Sequence, residues 1–136
     1  GEMGCNMLVA SYFGVPYVLH TGDAAASAEA RDLAPHIETV SVKWGVPRGS
    51  ASGLDSRQNE LFNGAAIHLH PTRARDLVRT AAKRALERRH EISPFRLAAP
   101  YQLVSVRRKT DTEPAKTAHV AASDMLDLLR SPRRHE

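Results

Sequence analysis

The spacing of apolar positions changes several times along the chain, and each change marks an element. From Glu2 to Phe13, Met3, Met7, Leu8 and Ala10 recur at helical spacing, with Glu2 in the first turn. Gly14 supplies a stop and Pro16 cannot continue a helix, so the pattern predicts a helix ending near Phe13. Val15 to His20 is a continuous apolar run, the pattern of a strand covered on both faces. Thr21-Gly22-Asp23 then opens an alanine-rich helix that reaches about Leu33, with Asp23 as its N-cap and Pro35 ending it. From Ile37 to Trp44 the chain resumes a strand, with Val40, Val42 and Trp44 on one face and Ser41 and Lys43 on the other.

Residues 45–53 read as a loop from their glycines, serines and Pro47. A short helix over Asp55 to Phe62, ended by Asn63-Gly64, and a short alternating strand over Ala65 to His70 follow. The strongest periodicity lies after Pro71, where Ala74, Leu77, Val78, Ala81, Ala82, Ala85 and Leu86 form one apolar stripe suited to packing on a sheet. Tyr101 to Val106 and Ala118 to Ala121 read as a strand and its return, and Ser123 or Asp124 caps a last helix through Leu129. The predicted fold class is α/β: the end of a parallel-sheet α/β domain over residues 1–43, followed by an α+β two-layer sandwich over 44–136. Ligands in open α/β sheets gather at the carboxyl ends of strands, which nominates Thr21 to Asp23 and Lys43 to Arg48 as site segments. Glu2 and Asn6, four apart, share a helix face and can point into one site.

Composition narrows the class without naming a task. With 136 residues, 42% hydrophobic and 25% charged, the chain is neither disordered nor collagenous. Its longest apolar runs fall far short of the ~20 residues that span a bilayer. A single cysteine, Cys5, cannot close an internal disulfide, which makes a reducing cytoplasm the expected compartment. Residues 1–70 carry a balance of −3 and residues 71–136 one of +7, within a total of +4. Much of the basic excess covers the outer face of the helix after Pro71. Only seven Phe, Trp and Tyr residues are present and none is interleaved with those arginines, so a solvated helix face is a better reading than a nucleic-acid surface. His68-x-His70 puts two imidazoles on one strand face, but without a third ligand nearby it reads as the end of a strand and the start of a helix.

The opening Gly1-Glu2-Met3-Gly4-Cys5-Asn6, then Gly14-Val15-Pro16-Tyr17-Val18 and the Thr21-Gly22-Asp23 turn, resembles the zinc D-aminopeptidase family of DppA-type metallopeptidases. Thr39-Val40-Ser41-Val42-Lys43, Arg48 with the small residues after it, the helix after His70-Pro71, and Ala122-Ser123-Asp124-Met125-Leu126 match in register. The resemblance covers nearly the whole chain and corresponds to that family's carboxyl-terminal half.

The resemblance implies a zinc-dependent aminopeptidase or amidohydrolase that cleaves small peptides or amides with a metal-activated water. It assigns Glu2 as a ligand of a two-zinc centre, and no catalytic residue to this chain. The other ligands, an Asp-x-Glu pair and two histidines, and a proton-transferring histidine precede the Gly-Glu motif in the family. They would therefore come from a missing amino-terminal half, either a separate chain or residues outside this sequence. The opening Gly1-Glu2, with neither start methionine nor signal peptide, agrees with a chain cut from something longer. Asn6 is expected to orient Glu2 or the substrate, and Lys43 and Arg48 to bind a substrate carboxylate or build an interface. The resemblance also implies a homo-oligomer. Two further readings remain open from the sequence: a non-catalytic structural or regulatory subunit of the same fold, and a basic nucleic-acid-binding module.

Overall fold

A computed structural model describes residues 1–47 and 49–135. It is a mixed α/β fold whose chain divides into two compact units. The first comprises Gly1–Val46 with Ala66–Arg96, and the second comprises Pro47–Ala65 with Leu97–Glu136. The strand and helix of residues 66–87, which the sequence places after the boundary at 43, pack with the first unit.

The first unit opens with α1 (Glu2–Tyr12), stopped as expected where Gly14 takes φ +74°. Strand β1 (Leu19–Asp23) begins later than the apolar run suggests. Pro16 has no amide to give a sheet ladder, and β1 joins its partner only at Leu19, opposite Glu38; Val15 is 54% exposed. The expectation of a strand over 15–20 buried on both faces is thus corrected to a half-buried strand four residues further on. Helix α2 (Ala24–Leu33) starts on Asp23, whose carboxylate accepts from the amides of Ala25 at 2.8 Å and Ala26 at 3.3 Å. It crosses over to β2 (Glu38–Gly45), which pairs parallel to β1. After the second unit's first segment, the short β3 (Ala66–His68) pairs antiparallel to β2, giving the sheet order β1-β2-β3.

Helix α4 (Pro71–Glu87) carries Pro71 in its first turn and closes on the sheet through Ala81 and Ala85, each 1% exposed. The intervening α3 (Ser56–Asn63) belongs to the second unit. Small side chains let the α4 backbone approach β2 closely; Leu86, predicted on the same stripe, is 60% exposed. Glu38, at the start of β2, receives Arg84 at 3.0 Å and Arg88 at 2.8 Å. Arg88 also donates to Glu91 at 2.9 Å, and the two carboxylates hold its guanidinium pKa above the ordinary value, Glu91 most strongly. Thr39, the next residue along β2, faces the other way and accepts from Arg31 of α2. Strand alternation therefore puts α4 and α2 on opposite faces of the sheet. Met3, Met7, Ala30 and Ile37 form the core between α1, α2 and β2, with Tyr17, Leu33, Ala34 and Phe95 packed around them.

The second unit is built on a hairpin. Strand β4 (Tyr101–Arg107) pairs antiparallel with β5 (Lys116–Ala122), from Tyr101 opposite Ala122 to Arg107 opposite Lys116. Helix α5 (Met125–Arg130), capped by Asp124, buries Met125 and Leu128 beside Ala118 of β5. α3 starts with a capping box between Asp55 and Gln58. Its entry is tied to the hairpin by Arg108, which donates to the carbonyls of Ala51 at 2.8 Å and Leu54 at 2.9 Å, and by the Ser56 amide, which donates to Lys109 at 3.0 Å.

The double ion pair on Glu38 sets one expectation. Its carboxylate side is 11% exposed but both arginines are substantially solvated, so Glu38→Ala should lower the unfolding free energy by about 1–2 kcal/mol. Urea denaturation at low and high salt measures this, and the loss should shrink as salt screens the pair.

Candidate functional site

The first turn of α1, the start of β1 and one face of α2 enclose a cleft of about 440 Å³. Glu2 and Asn6 enter it from α1, one turn apart, Tyr17 and His20 from the approach to β1 and its second residue, and Ala25, Ala26 and Glu29 from α2. The helical spacing that puts Glu2 and Asn6 on one face is thus realised as a shared wall. Met3 and Met7, each one residue further along the helix, turn inward to the core and fix which way that wall faces.

His20 stands opposite Thr39 in the β1–β2 pairing and therefore faces α2. Its Nε2 is buried without a hydrogen-bond partner among the described residues, and its ring lies 6.5 Å from that of Tyr17 at a tilt of 30°. Glu29 is half-buried on α2 and lines the cleft beside the first turn of α1. Neither residue was singled out from the sequence. His20 is hidden at the end of an apolar run. Glu29 leaves a faint trace: 25, 26 and 29 share a helix face, and Glu29 is the one charged residue among alanines there.

The other nominated residues lie elsewhere. Asp23 spends its carboxylate on the first turn of α2. Lys43 sits half-buried on β2, at the register position between Asp23 of β1 and His68 of β3, away from the residues that line the cleft. Arg48 lies outside the described residues. His70 is the N-cap of α4: its Nδ1 accepts from the Thr72 amide at 3.3 Å, which requires that nitrogen to be unprotonated.

The donor chemistry of the cleft suits a zinc ion in part. Carboxylate oxygen and imidazole nitrogen are both zinc ligands, and Glu2 presents an exposed carboxylate. Among the described residues, however, no group of three His, Cys, Asp or Glu side chains is placed to hold a metal. The residues present fit one ligand position and do not make a complete centre.

Comparison with known proteins assigns this geometry to a class. The family model for D-aminopeptidase, peptidase family M55, matches residues 1–127. The chain belongs to that family. A D-aminopeptidase of Bacillus subtilis (strain 168) is 39% identical over 54 residues, which is 40% of this chain and 20% of that protein. The structure is similar to that of the Zn-dependent D-aminopeptidase DppA from Bacillus subtilis, described as a self-compartmentalizing protease. The TM-score is 0.67 at 26% identity, over 94% of this chain and 46% of that one. The chain thus spans less than half the length of these relatives. No helix among the described residues is long and apolar enough to cross a membrane.

An unpartnered buried nitrogen costs stability that an apolar side chain does not. His20→Leu should therefore leave the unfolding free energy within about 1 kcal/mol of the parent or raise it. Chemical denaturation of the two proteins makes the comparison, and a loss well beyond that range would show that the imidazole has a structural partner.

Proposed function

We propose that this chain supplies the carboxyl-terminal portion of a zinc-dependent aminopeptidase or amidohydrolase acting on small peptides or amides. The observation that carries the reading is the position of Glu2. In a chain of the D-aminopeptidase family, the acid of the Gly-Glu-x-Gly start stands exposed on the wall of a cleft, with Asn6 beside it. Glu2 would hold zinc, which when bound polarises an amide carbonyl and lowers the pKa of a water. Asn6 is within one helical turn and orients the Glu2 carboxylate or a substrate amide. No three His, Cys, Asp or Glu side chains are grouped among the described residues; in this reading the rest of the centre, two zinc ions in the fullest form, would be completed by an amino-terminal half outside this sequence.

Other roles follow from the same reading. Lys43, on β2, and Arg48 would bind a substrate carboxylate or contribute to contacts between copies in a homo-oligomer. The self-compartmentalizing description of the DppA relative supports such an assembly. A cytoplasmic location agrees with the single cysteine, Cys5, which is free.

The test uses the complete protein that contains this chain. Glu2→Ala should remove zinc, read by native mass spectrometry, and lower kcat/KM on a short peptide with an amino-terminal D-residue by about a hundredfold or more. Unchanged zinc content and hydrolysis would take Glu2 out of the site.

A further inference from the structure

Helix α4 is capped by an imidazole. The first amides of a helix have no acceptor inside it. Pro71 brings no amide, and the next one, that of Thr72, donates to Nδ1 of His70 at 3.3 Å. The side chains that usually fill this position, Ser, Thr, Asp and Asn, accept through an oxygen that is available at neutral and mildly acidic pH alike. An imidazole nitrogen accepts only while it carries no proton, and imidazole is the side chain that changes charge between about pH 5 and 8.

The charges around that turn press in one direction. No acid lies in the first turn of α4, Arg73 and Arg75 stand at its start, and Arg75 donates to Thr72 Oγ1 at 3.5 Å. The neighbouring strands bring His68 of β3 and Lys43 of β2, directly opposite each other. Between His68 and His70, the Leu69 amide donates to the Val42 carbonyl of β2 at 3.0 Å. The acids nearest in sequence and register are engaged elsewhere: Asp76 pairs with Arg79 at 2.9 Å, and Asp23, across from Lys43, accepts from the amides of α2. A proton on His70 therefore removes the acceptor of the Thr72 amide and adds positive charge at the positive end of the helix dipole. The other end of α4 is held by different means, through buried Ala81 and Ala85 and through Arg84 on Glu38. We propose that His70 is a pH-sensitive latch: α4 is closed at its amino end while the imidazole is neutral and opens there as pH falls, with its carboxyl-terminal half still seated on the sheet. The inference is independent of the zinc reading of Glu2.

The experiment uses the complete protein that contains this chain. Amide hydrogen exchange is followed at Thr72 and Ala74, with Ala81 and Ala85 as internal references, between about pH 8 and about pH 5, each rate divided by the intrinsic rate at that pH. Protection of Thr72 and Ala74 should fall about three- to thirtyfold on acidification, the range set by loss of an N-cap, while the reference amides hold. His70→Asn keeps an acceptor oxygen throughout that range, so it should stay protected and lose the pH dependence. His70→Ala should show low protection at both ends of the range, and His68→Asn should respond to pH as the parent does. The latch is overturned by a parent whose first turn ignores pH, by an acid response that survives in His70→Asn or vanishes in His68→Asn, or by full protection in His70→Ala. An equal loss at Ala81 and Ala85 also overturns it, because the whole helix would then be opening.

Discussion

The close approach of α1 to α2 decides where every cleft residue stands. It is made by small residues: Gly4 faces α2 near Leu33, and Ala30 is fully buried. Interiors are packed as densely as organic crystals, so adding even one methyl at such a crossing shifts a neighbour. Met3 and Met7, on the neighbouring face of α1, pack into the core with Ala30 and Ile37, which leaves Glu2 and Asn6 facing the cleft. The cleft is thus a by-product of how the first helix is seated.

The sheet beneath is held from both sides by different physics. On one face, α2 runs back from the capped end of β1 to the start of β2. On the other, α4 sits close through Ala81 and Ala85 and is anchored at its carboxyl end by Arg84 and Arg88 on Glu38. Those pairs also bear on the charge pattern. Together with Arg79 on Asp76 and Lys83 near Glu87, they engage three cations of this helix and the one at its C-cap within the protein itself. A helix that looks like a basic stripe in the sequence is in large part an internally compensated surface.

Much of the fold was legible because local chemistry and periodicity agreed. Asp23, Asp55 and Asp124 cap the helices they precede, Pro71 opens α4, and Gly14 closes α1 with a positive φ. The start of β1 was misplaced because hydrophobicity does not record hydrogen bonding: Val15 to Val18 look like a strand, but the Val15 amide turns back to Ala10 of α1, Pro16 has no amide to give, and the ladder with β2 begins only at Leu19. The exposed Leu86 shows the converse, a position with the right spacing but beyond the reach of the sheet. In the site, Glu2 and Asn6 could be paired from their separation of four. Glu29 and His20 could not, because their proximity to α1 depends on a helix crossing that no local pattern encodes.

The central proposal, that Glu2 is the chain's contribution to a zinc centre, draws its support from membership of the D-aminopeptidase family and the exposed position of that acid. The most direct measurement is a crystal structure of the complete zinc-loaded protein, with anomalous data collected at the zinc edge. The account predicts a zinc peak in the cleft with a Glu2 carboxylate oxygen about 2.0–2.2 Å away. A zinc peak elsewhere, or a Glu2 side chain turned out of the metal's coordination, would contradict it.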